Sequence, residues 1–143
     1  MPHFNGLLEA GLFVENLSRA RDFYEQVLGL EKLRESDAGC VFLLANSQVL
    51  LLISREKATV PSQTPGGEVP PCSCDASKTL GAGHVAFAIA ETELDVWRAH
   101  LASHEVEVLS EVAWEGEGRS LYFRDPDGHL LEIATPGLWG LKW

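Results

Sequence analysis

The sequence predicts an α+β fold made of two tandem β-α-β-β-β modules. The order of one strand, one helix and three strands can be read twice along the 143 residues. The segments LEAGLFV at 8–14 and GHVAFAI at 83–89 open the two copies and align with each other. VFLLANSQVLLLIS at 41–54 and LYFRDPDGHLLEIA at 121–134 close them. Because each copy of a repeat forms one structural unit, this repetition decides the fold.

The first module covers about residues 5–56. Its opening strand, LLEAGLFV, leads into a helix over Leu17–Leu28, with apolar side chains at helical spacing. Asn16 is the expected N-cap, and Gly29 is the expected left-handed stop. Three strands are expected after the helix, within LEKLRES, CVFLLA and QVLLLIS, because turn residues separate these segments.

A segment of different composition, about residues 57–82, follows the first module. It holds four of the seven prolines, in TVPSQTPGGEVPPCSC, and has neither helical nor strand periodicity. We expect a long surface loop, serving either as a lid over a site or as a linker. Its Cys72 and Cys74 lack the spacing of a zinc knuckle.

The second module covers about residues 83–136 and repeats the order of the first. GHVAFAIA is the expected strand, and a helix over Glu93–Ser103 follows, with Thr92 and Asp95 as a capping box. Three strands are expected within VEVLSEVAW, RSLYFRD and HLLEIAT. The tail at 137–143 carries Trp139 and Trp143, which we expect to dock on the body or on a partner chain.

Composition narrows the classes of function. The net charge of −10 argues against nucleic acid and anionic membranes as partners. No apolar run approaches the roughly 18 residues of a membrane span, and the N-terminus lacks the pattern of a signal peptide. An odd count of three cysteines is a poor disulfide framework, so a cytoplasmic location is the expectation.

One acidic residue stands out within DPDGHLLEIATP. Glu132 lies among apolar residues of the last expected strand, where a carboxylate is costly unless a partner such as a metal ion compensates its desolvation. Strand alternation places His84 with two alanines on one face of its strand, and Glu9 with Gly11 and Phe13 on one face of another. His129, beside the turn glycine, is expected to be exposed.

The repeat, with FYEQVLGL in the first copy and YFRDPDGHLLE in the second, resembles the vicinal oxygen chelate superfamily. This superfamily includes glyoxalase I, fosfomycin-modifying transferases, extradiol dioxygenases, methylmalonyl-CoA epimerase and bleomycin resistance proteins. The resemblance implies one domain over 1–143 whose curved, barrel-like mixed sheets surround a metal and substrate cavity. It places the four ligand positions at Glu9, Leu52, His84 and Glu132.

Three of those positions can bind a metal. Leu52 cannot coordinate, and Glu9 replaces the histidine usual in the fosfomycin-modifying and ring-cleaving enzymes. Two carboxylates and one imidazole suit a divalent ion such as Mn²⁺, Fe²⁺, Zn²⁺ or Mg²⁺. Three protein ligands leave open positions for substrate oxygens.

Other residues are expected around the metal. Tyr122, which matches a substrate-binding tyrosine of fosfomycin-modifying relatives, is a candidate catalytic and substrate-binding residue, or else an aromatic that fills the barrel. Glu9 and Glu132 are candidate bases. The expected substrate contacts also include Ser120, Arg119 and Phe13. Arg119 and Arg124 either meet an anionic substrate or only solvate strand ends.

Two functions of different class remain open from the sequence. The first is a metalloenzyme acting on a small substrate with vicinal oxygens, by lyase, isomerase, transferase or ring-cleaving chemistry. The second is a metal-free binding protein of the bleomycin-resistance type, for which an acidic chain suits a cationic drug. A homodimer is expected in either case, because open sheets leave edges that need a partner.

Overall fold

The computed structural model describes residues 1, 7–45, 48–73, 75, 77, 81–115, 117–137 and 140–143. These residues form two compact units, 1–81 and 82–143. Each unit contains a four-stranded mixed sheet. The elements that build it follow one order along the chain: a strand, a helix and three strands. The α+β fold with two tandem β-α-β-β-β modules is therefore confirmed.

The first unit has the strand order β1-β4-β3-β2. Strand β1 runs parallel to β4, whereas the pairs β4–β3 and β3–β2 are antiparallel. The elements are β1 Glu9–Val14, α1 Leu17–Gln26, β2 Glu31–Glu35, β3 Gly39–Leu43 and β4 Val49–Ser54. Five residues join β3 to β4, a length that returns for the matching pair of strands in the second unit.

Helix α1 begins and ends as the sequence predicts, within two residues. The Asn16 side chain accepts a hydrogen bond from the backbone N–H of Arg19 at 2.9 Å, which satisfies one of the unpaired amides of the first turn. Gly29 has φ +64°, the left-handed conformation in which a chain leaves a helix with little strain when no Cβ is present. The backbone N–H of Leu30 then closes onto Tyr24 O at 3.0 Å.

One face of the first sheet packs under helix α1. Alternate residues of β1, β3 and β4 are buried there, as strand geometry requires. They are Leu12, Val14, Cys40, Phe42, Leu50 and Leu52. Tyr24 of α1 meets this face and stacks on Phe42, with ring centroids 5.9 Å apart. Burial raises the pKa of the Cys40 thiol to about 11, so this cysteine stays protonated and acts as a packing residue.

The Pro-rich segment contains regular structure that the sequence did not predict. Strands β5 Ser62–Thr64 and β6 Gly67–Val69 form a short antiparallel hairpin. Gly67 has φ +141°, and Thr64 Oγ1 donates to Gly67 O at 2.6 Å across the turn. Strand periodicity needs more than three residues to be visible, so the sequence did not reveal this hairpin within the expected surface loop. Cys72 is exposed, and Cys74 lies outside the described residues.

The second unit repeats the topology, with the strand order β7-β10-β9-β8. Strand β7 runs parallel to β10, and the other pairs are antiparallel. The elements are β7 His84–Ala88, α2 Leu94–Ser103, β8 Ser110–Ala113, β9 Arg119–Arg124 and β10 Leu130–Ala134. Leu121, Phe123, Leu131 and Ile133 form the buried face, together with Leu94 and Leu101 of α2.

The start of α2 differs from the prediction. A short 3₁₀ turn, Glu91–Glu93, leads into the helix, and no side chain of the described residues caps its first turn. Asp95 instead pairs with Arg98 one turn along the helix. The predicted capping box of Thr92 and Asp95 was therefore wrong. Neither helix in the described part of the chain is long and apolar enough to span a membrane.

Gly39 provides a test of the first sheet. A Cβ at this position would overlap the backbone carbonyl oxygen of Leu52 on the neighbouring strand, so Gly39→Ala must move β3 away from β4. We expect a loss of about 1–3 kcal/mol in the free energy of unfolding, measured by urea denaturation. Gly66→Ala is the control, because the nearest atom to its Cβ is Thr64 Oγ1 at 3.9 Å. Equal stability of the two variants would contradict this account of the strand contact.

Candidate metal centre

A buried carboxylate lies at the centre of the second sheet. Glu132 is in the middle of β10, opposite Tyr122 of β9 and Ala86 of β7, and it is only 3% exposed. A carboxylate removed from water loses several kcal/mol of hydration unless polar partners replace it. Its partners therefore determine what this site can do.

The first partner is a hydroxyl that is itself supported by an indole. Ser120 Oγ, fully buried, lies 2.5 Å from Glu132 Oε1. Trp114 Nε1 donates to the same Ser120 oxygen at 2.9 Å. Because an indole nitrogen can only donate, the Ser120 oxygen accepts from Trp114 and its own hydrogen points to Glu132. These contacts hold Oε1 at Ser120, and the second carboxylate oxygen, Oε2, is left for a different partner.

The second partner is His84, the first residue of β7. His84 Nδ1 lies 2.9 Å from Leu130 O. A carbonyl oxygen can only accept, so Nδ1 carries a hydrogen. His84 Nε2 then faces Glu132 Oε2 at 3.2 Å. In a neutral imidazole that nitrogen bears a lone pair, so a proton or a cation is needed to relieve the repulsion between the two atoms.

Tyr122 lies beside this pair and on the same face of the sheet. Its ring is stacked with that of His84, with centroids 6.3 Å apart and an angle of 26° between the planes. Burial raises the pKa of the Tyr122 hydroxyl, and a hydrogen bond to Glu132 raises it further. Tyr122 is therefore a phenol at neutral pH and acts as a hydrogen-bond donor at the edge of the site.

The Asp-Pro-Asp-Gly turn holds the strand that carries Glu132. Asp125 Oδ1 accepts from the backbone N–H groups of Asp127 and His129, both at 2.9 Å. Gly128 has φ +82° and donates its backbone N–H to Asp125 O at 3.0 Å. Asp125 is buried, so hydrogen bonds to its side chain hold this turn together in addition to the backbone hydrogen bond.

His129 is part of the same support, and the prediction that it is exposed was wrong. It is 1% exposed, and its Nδ1 accepts the backbone N–H of Gly83 at 2.7 Å. Gly83 O in turn accepts from Leu130 N at 2.9 Å. Gly83 directly precedes His84, so His129 fixes the start of β7 against β10 and thereby places the His84 ring beside Glu132.

The two arginines near the site have partners within the protein. Arg119 pairs with Glu111, which also binds Arg98 at 2.7 Å. Arg124 Nη1 donates to Gly128 O at 2.7 Å across the turn. Both contacts lie at the ends of β9, as expected if these arginines solvate strand ends. A role for Arg119 in substrate binding stays a prediction.

The first unit holds two of the predicted site residues. Glu9 is the exposed first residue of β1, and Phe13 is half-buried on the same face, opposite Leu12 and Val14. This face is the one that alternation predicted. The assignments of Glu9 as a ligand and of Phe13 as a substrate contact stay predictions.

The structure corrects the fourth ligand position. Leu52 is buried on the face that packs under helix α1. In the second unit Glu132 pairs with Ala86, two residues after His84, and in the first unit Leu51 pairs with Gly11, two residues after Glu9. The position that matches Glu132 is therefore Leu51. The alignment of residues 41–54 with residues 121–134 was therefore displaced by one residue. Because side chains alternate along a strand, this displacement moved the expected ligand position to the opposite face of β4.

Sequence reasoning did not find Trp114, Asp125 or His129 as supports of the site. Asp125 and His129 flank a turn motif whose regularity could have indicated a structural role for both side chains. Trp114 carried no such signal, because its contact with Ser120 depends on how β8 and β9 pair.

Comparisons with known proteins agree with this architecture. A sequence profile described as Glyoxalase/Bleomycin resistance protein/Dioxygenase superfamily matches residues 2–133. Metallothiol transferase FosB of Staphylococcus haemolyticus (strain JCSC1435) is 30% identical over 131 residues, which are 87% of this chain and 79% of the relative.

Two solved structures are similar over nearly their full length. Lactoylglutathione lyase from Agrobacterium tumefaciens has a TM-score of 0.80 and 25% identity, covering 98% of this chain and 100% of that one. The fosfomycin resistance protein FosX from Listeria monocytogenes, complexed with Mn(II) and sulfate, has a TM-score of 0.65 and 25% identity. It covers 93% of this chain and 91% of that one.

His129 provides a test of the support for β7. His129→Ala removes the acceptor of the Gly83 N–H and leaves a cavity, so we expect a loss of at least about 2 kcal/mol in the free energy of unfolding. His129→Gln can restore the acceptor through its amide oxygen and should recover part of the loss. The control is exposed His104→Ala, expected to change stability by less than about 0.5 kcal/mol in the same urea titration. Equal effects at the two histidines would rule out this role of His129.

Proposed function

Because this chain belongs to the glyoxalase/bleomycin resistance protein/dioxygenase superfamily, we propose that it is a metal-dependent enzyme acting on a small substrate with vicinal oxygens. In this proposal a divalent cation is held by Glu9, His84 and Glu132. The ion, when bound, polarises substrate oxygens and stabilises negative charge that develops on them.

A single observation carries the proposal. His84 Nε2 and Glu132 Oε2 face each other at 3.2 Å, while the other side of each group is occupied by Leu130 O and Ser120 Oγ respectively. Both inner atoms are metal-ligand atoms, and both outer contacts are of the kind that orients ligands in metal sites. A cation between them would remove the repulsion of the lone pairs and compensate the burial of the carboxylate.

The donor set fits a divalent ion of intermediate hardness. One imidazole and two carboxylates suit Mn²⁺, Fe²⁺ or Zn²⁺, and two carboxylates match the charge of the ion. Mn²⁺ is the first metal to test, because the FosX structure contains Mn(II). Three protein ligands leave coordination positions for a substrate.

Several residues around the proposed ligands have a defined task in this proposal. Ser120, supported by Trp114, keeps Glu132 Oε1 occupied and so favours coordination through Oε2 alone. Tyr122 lies opposite Glu132 on β9 and can present its hydroxyl to a substrate oxygen. Ala86 and Ala88, small and exposed on the face of His84, leave room for a substrate beside the imidazole.

The relatives, and not the geometry of the site, indicate which reactions to assay first. One relative is a metallothiol transferase, another is a lactoylglutathione lyase, and a third is a fosfomycin resistance protein. Thiol transfer to fosfomycin and the isomerisation of thiol–aldehyde adducts are therefore the first reactions to assay. Glu9 and Glu132 are the candidate bases among the proposed ligands.

A metal-free binding protein is the second candidate. A doubly protonated His84 would satisfy Glu132 Oε2 by an ion pair without any metal. The acidic chain, with a net charge of −10, would then suit a cationic ligand of the bleomycin type. Whether the protein binds a metal ion distinguishes this binding protein from the metalloenzyme.

We also propose a homodimer, with the Pro-rich segment and the Trp tail near the subunit contact or the pocket mouth. Every residue of the edge strand β2 is exposed, and Leu33 projects from it. Such edges are normally covered. Trp143 Nε1 donates to Ile89 O of its own chain at 3.0 Å, while its ring stays half exposed and offers apolar surface to a partner. Trp139 lies outside the described residues.

The metal centre is tested by titrating chelator-stripped protein with Mn²⁺ and following the free ion by electron paramagnetic resonance. We expect one ion per chain, and a loss of affinity of more than about 100-fold in His84→Ala, Glu132→Gln and Glu9→Gln. Ser120→Ala keeps all three ligands and should lose about tenfold. The control His104→Ala should bind like the wild type.

The outcomes distinguish the alternatives. Absence of Mn²⁺, Fe²⁺ and Zn²⁺ binding that depends on His84 and Glu132 would refute the metalloenzyme and favour the binding protein. Unchanged affinity in Glu9→Gln alone would remove Glu9 from the ligand set and leave His84 and Glu132 as ligands.

Assembly is tested by analytical ultracentrifugation at micromolar concentration. We expect a species of twice the 15.7 kDa monomer mass, with an interface above about 1,000 Å². Leu33→Glu should shift the population towards monomer if β2 contributes to the contact. A single species at the monomer mass in the wild type would exclude the dimer.

A further inference from the structure

A pair of histidines lies at the end of helix α2, outside the site described above. His100 belongs to the last turn of α2, and His104 is the residue that caps its C-terminus. Residues four apart on a helix lie on the same face, one turn above the other. The two rings are indeed neighbours, with centroids 4.6 Å apart and planes inclined by 57°.

The backbone holds the two histidines one turn apart. The N–H of His104 bonds to His100 O at 3.2 Å and to Leu101 O at 3.1 Å, which closes the final turn. Ser103 Oγ donates to His100 O at 2.7 Å. The spacing of the two Cα atoms is therefore set by the helix and does not depend on a loop.

A tryptophan restricts the inner ring. Trp97 contacts His100 edge-to-face, with centroids 5.5 Å apart and planes at 85°. His100 is half-buried in this contact, whereas His104 is exposed. The inner imidazole is thus oriented by packing, and the outer one can turn towards a shared ligand with few steric restraints.

We propose that His100 and His104 form a bis-imidazole site for a borderline transition-metal ion, of the class of Ni²⁺, Cu²⁺ and Zn²⁺. Two imidazole nitrogens bind the ion, and water or an external ligand completes its coordination. The negative end of the α2 dipole and the net charge of −10 favour a cation at this place.

The chemistry of this site differs from that of the proposed metal centre. Nitrogen donors alone favour Cu²⁺, Ni²⁺ and Zn²⁺, whereas carboxylate oxygens also accept Mn²⁺ and Mg²⁺. The bis-imidazole site therefore gives the chain a second metal-binding capacity. Mn²⁺ distinguishes the two sites, because it suits the proposed metal centre and not a site with nitrogen donors alone. The bis-imidazole site does not depend on the proposed function.

The test uses the chain of 143 residues without an affinity tag, in a His84→Ala/Glu132→Gln background that removes the proposed metal centre. NiSO₄ is added at pH 7.5, and binding is followed by isothermal titration calorimetry and by tryptophan fluorescence. Ni²⁺ quenches a nearby indole, so binding at His100 should quench Trp97. We expect one saturable site with micromolar affinity, while MnCl₂ produces neither heat nor quenching in this range.

Three variants assign the ion to the two histidines. His104→Gln and His100→Gln should each lower the affinity for Ni²⁺ at least about tenfold, because the second donor no longer binds intramolecularly. Trp97→Phe should keep the calorimetric affinity and lose most of the quenching. His104 is exposed, so His104→Gln should fold normally, as circular dichroism can verify.

Two results would overturn the proposal. The first is the lack of a saturable Ni²⁺ site below about 1 mM, and the second is unchanged affinity in His104→Gln. Because the background lacks His84 and Glu132, either result leaves the proposed metal centre untouched. Conversely, failure of Mn²⁺ to bind the wild-type chain would leave the bis-imidazole site intact.

Discussion

The burial of the Glu132 carboxylate is the constraint on which the second unit depends. A charged group that is 3% exposed in the middle of a sheet needs a polar partner for each oxygen. Ser120 serves one oxygen and His84 faces the other, and Tyr122 lies opposite Glu132 on the neighbouring strand. The face of β9 and β10 opposite the apolar core is therefore a polar network and not a second core.

The turn before β10 links stability to the geometry of the site. The Asp125 side chain accepts a hydrogen bond from the backbone N–H of His129, and His129 accepts one from the backbone N–H of Gly83, next to His84. Strands β7 and β10 are parallel and joined through distant parts of the chain, so their alignment cannot come from a hairpin. The Asp-Pro-Asp-Gly-His segment supplies that alignment through side chains. A motif that indicates the family is thus, in this chain, a support for two of the proposed metal ligands.

The two units use one topology for different purposes. Where the second unit has Tyr122 and Glu132 paired across β9 and β10, the first has Val41 and Leu51 paired across β3 and β4. The apolar pair removes both polar groups at once, which avoids an unsatisfied hydroxyl or carboxylate. Within the described residues, the polar network is confined to the second unit, and Glu9 is the one contribution proposed for the first. This asymmetry separates the chain from a pattern with four metal ligands.

The sequence by itself determined the strand, helix and three strands of each module and the faces of those strands. Asn16 and Gly29 bound helix α1, and alternation placed Glu9, His84 and Glu132 opposite the apolar cores, because caps and period-two patterns are local properties. Only the tertiary structure decided the burial of His129, the contact of Trp114 with Ser120 and the equivalence of Leu51 with Glu132. Each of these depends on strand pairing between residues far apart in the chain, and a shift of one residue in such a pairing reverses every side chain without altering any local signal.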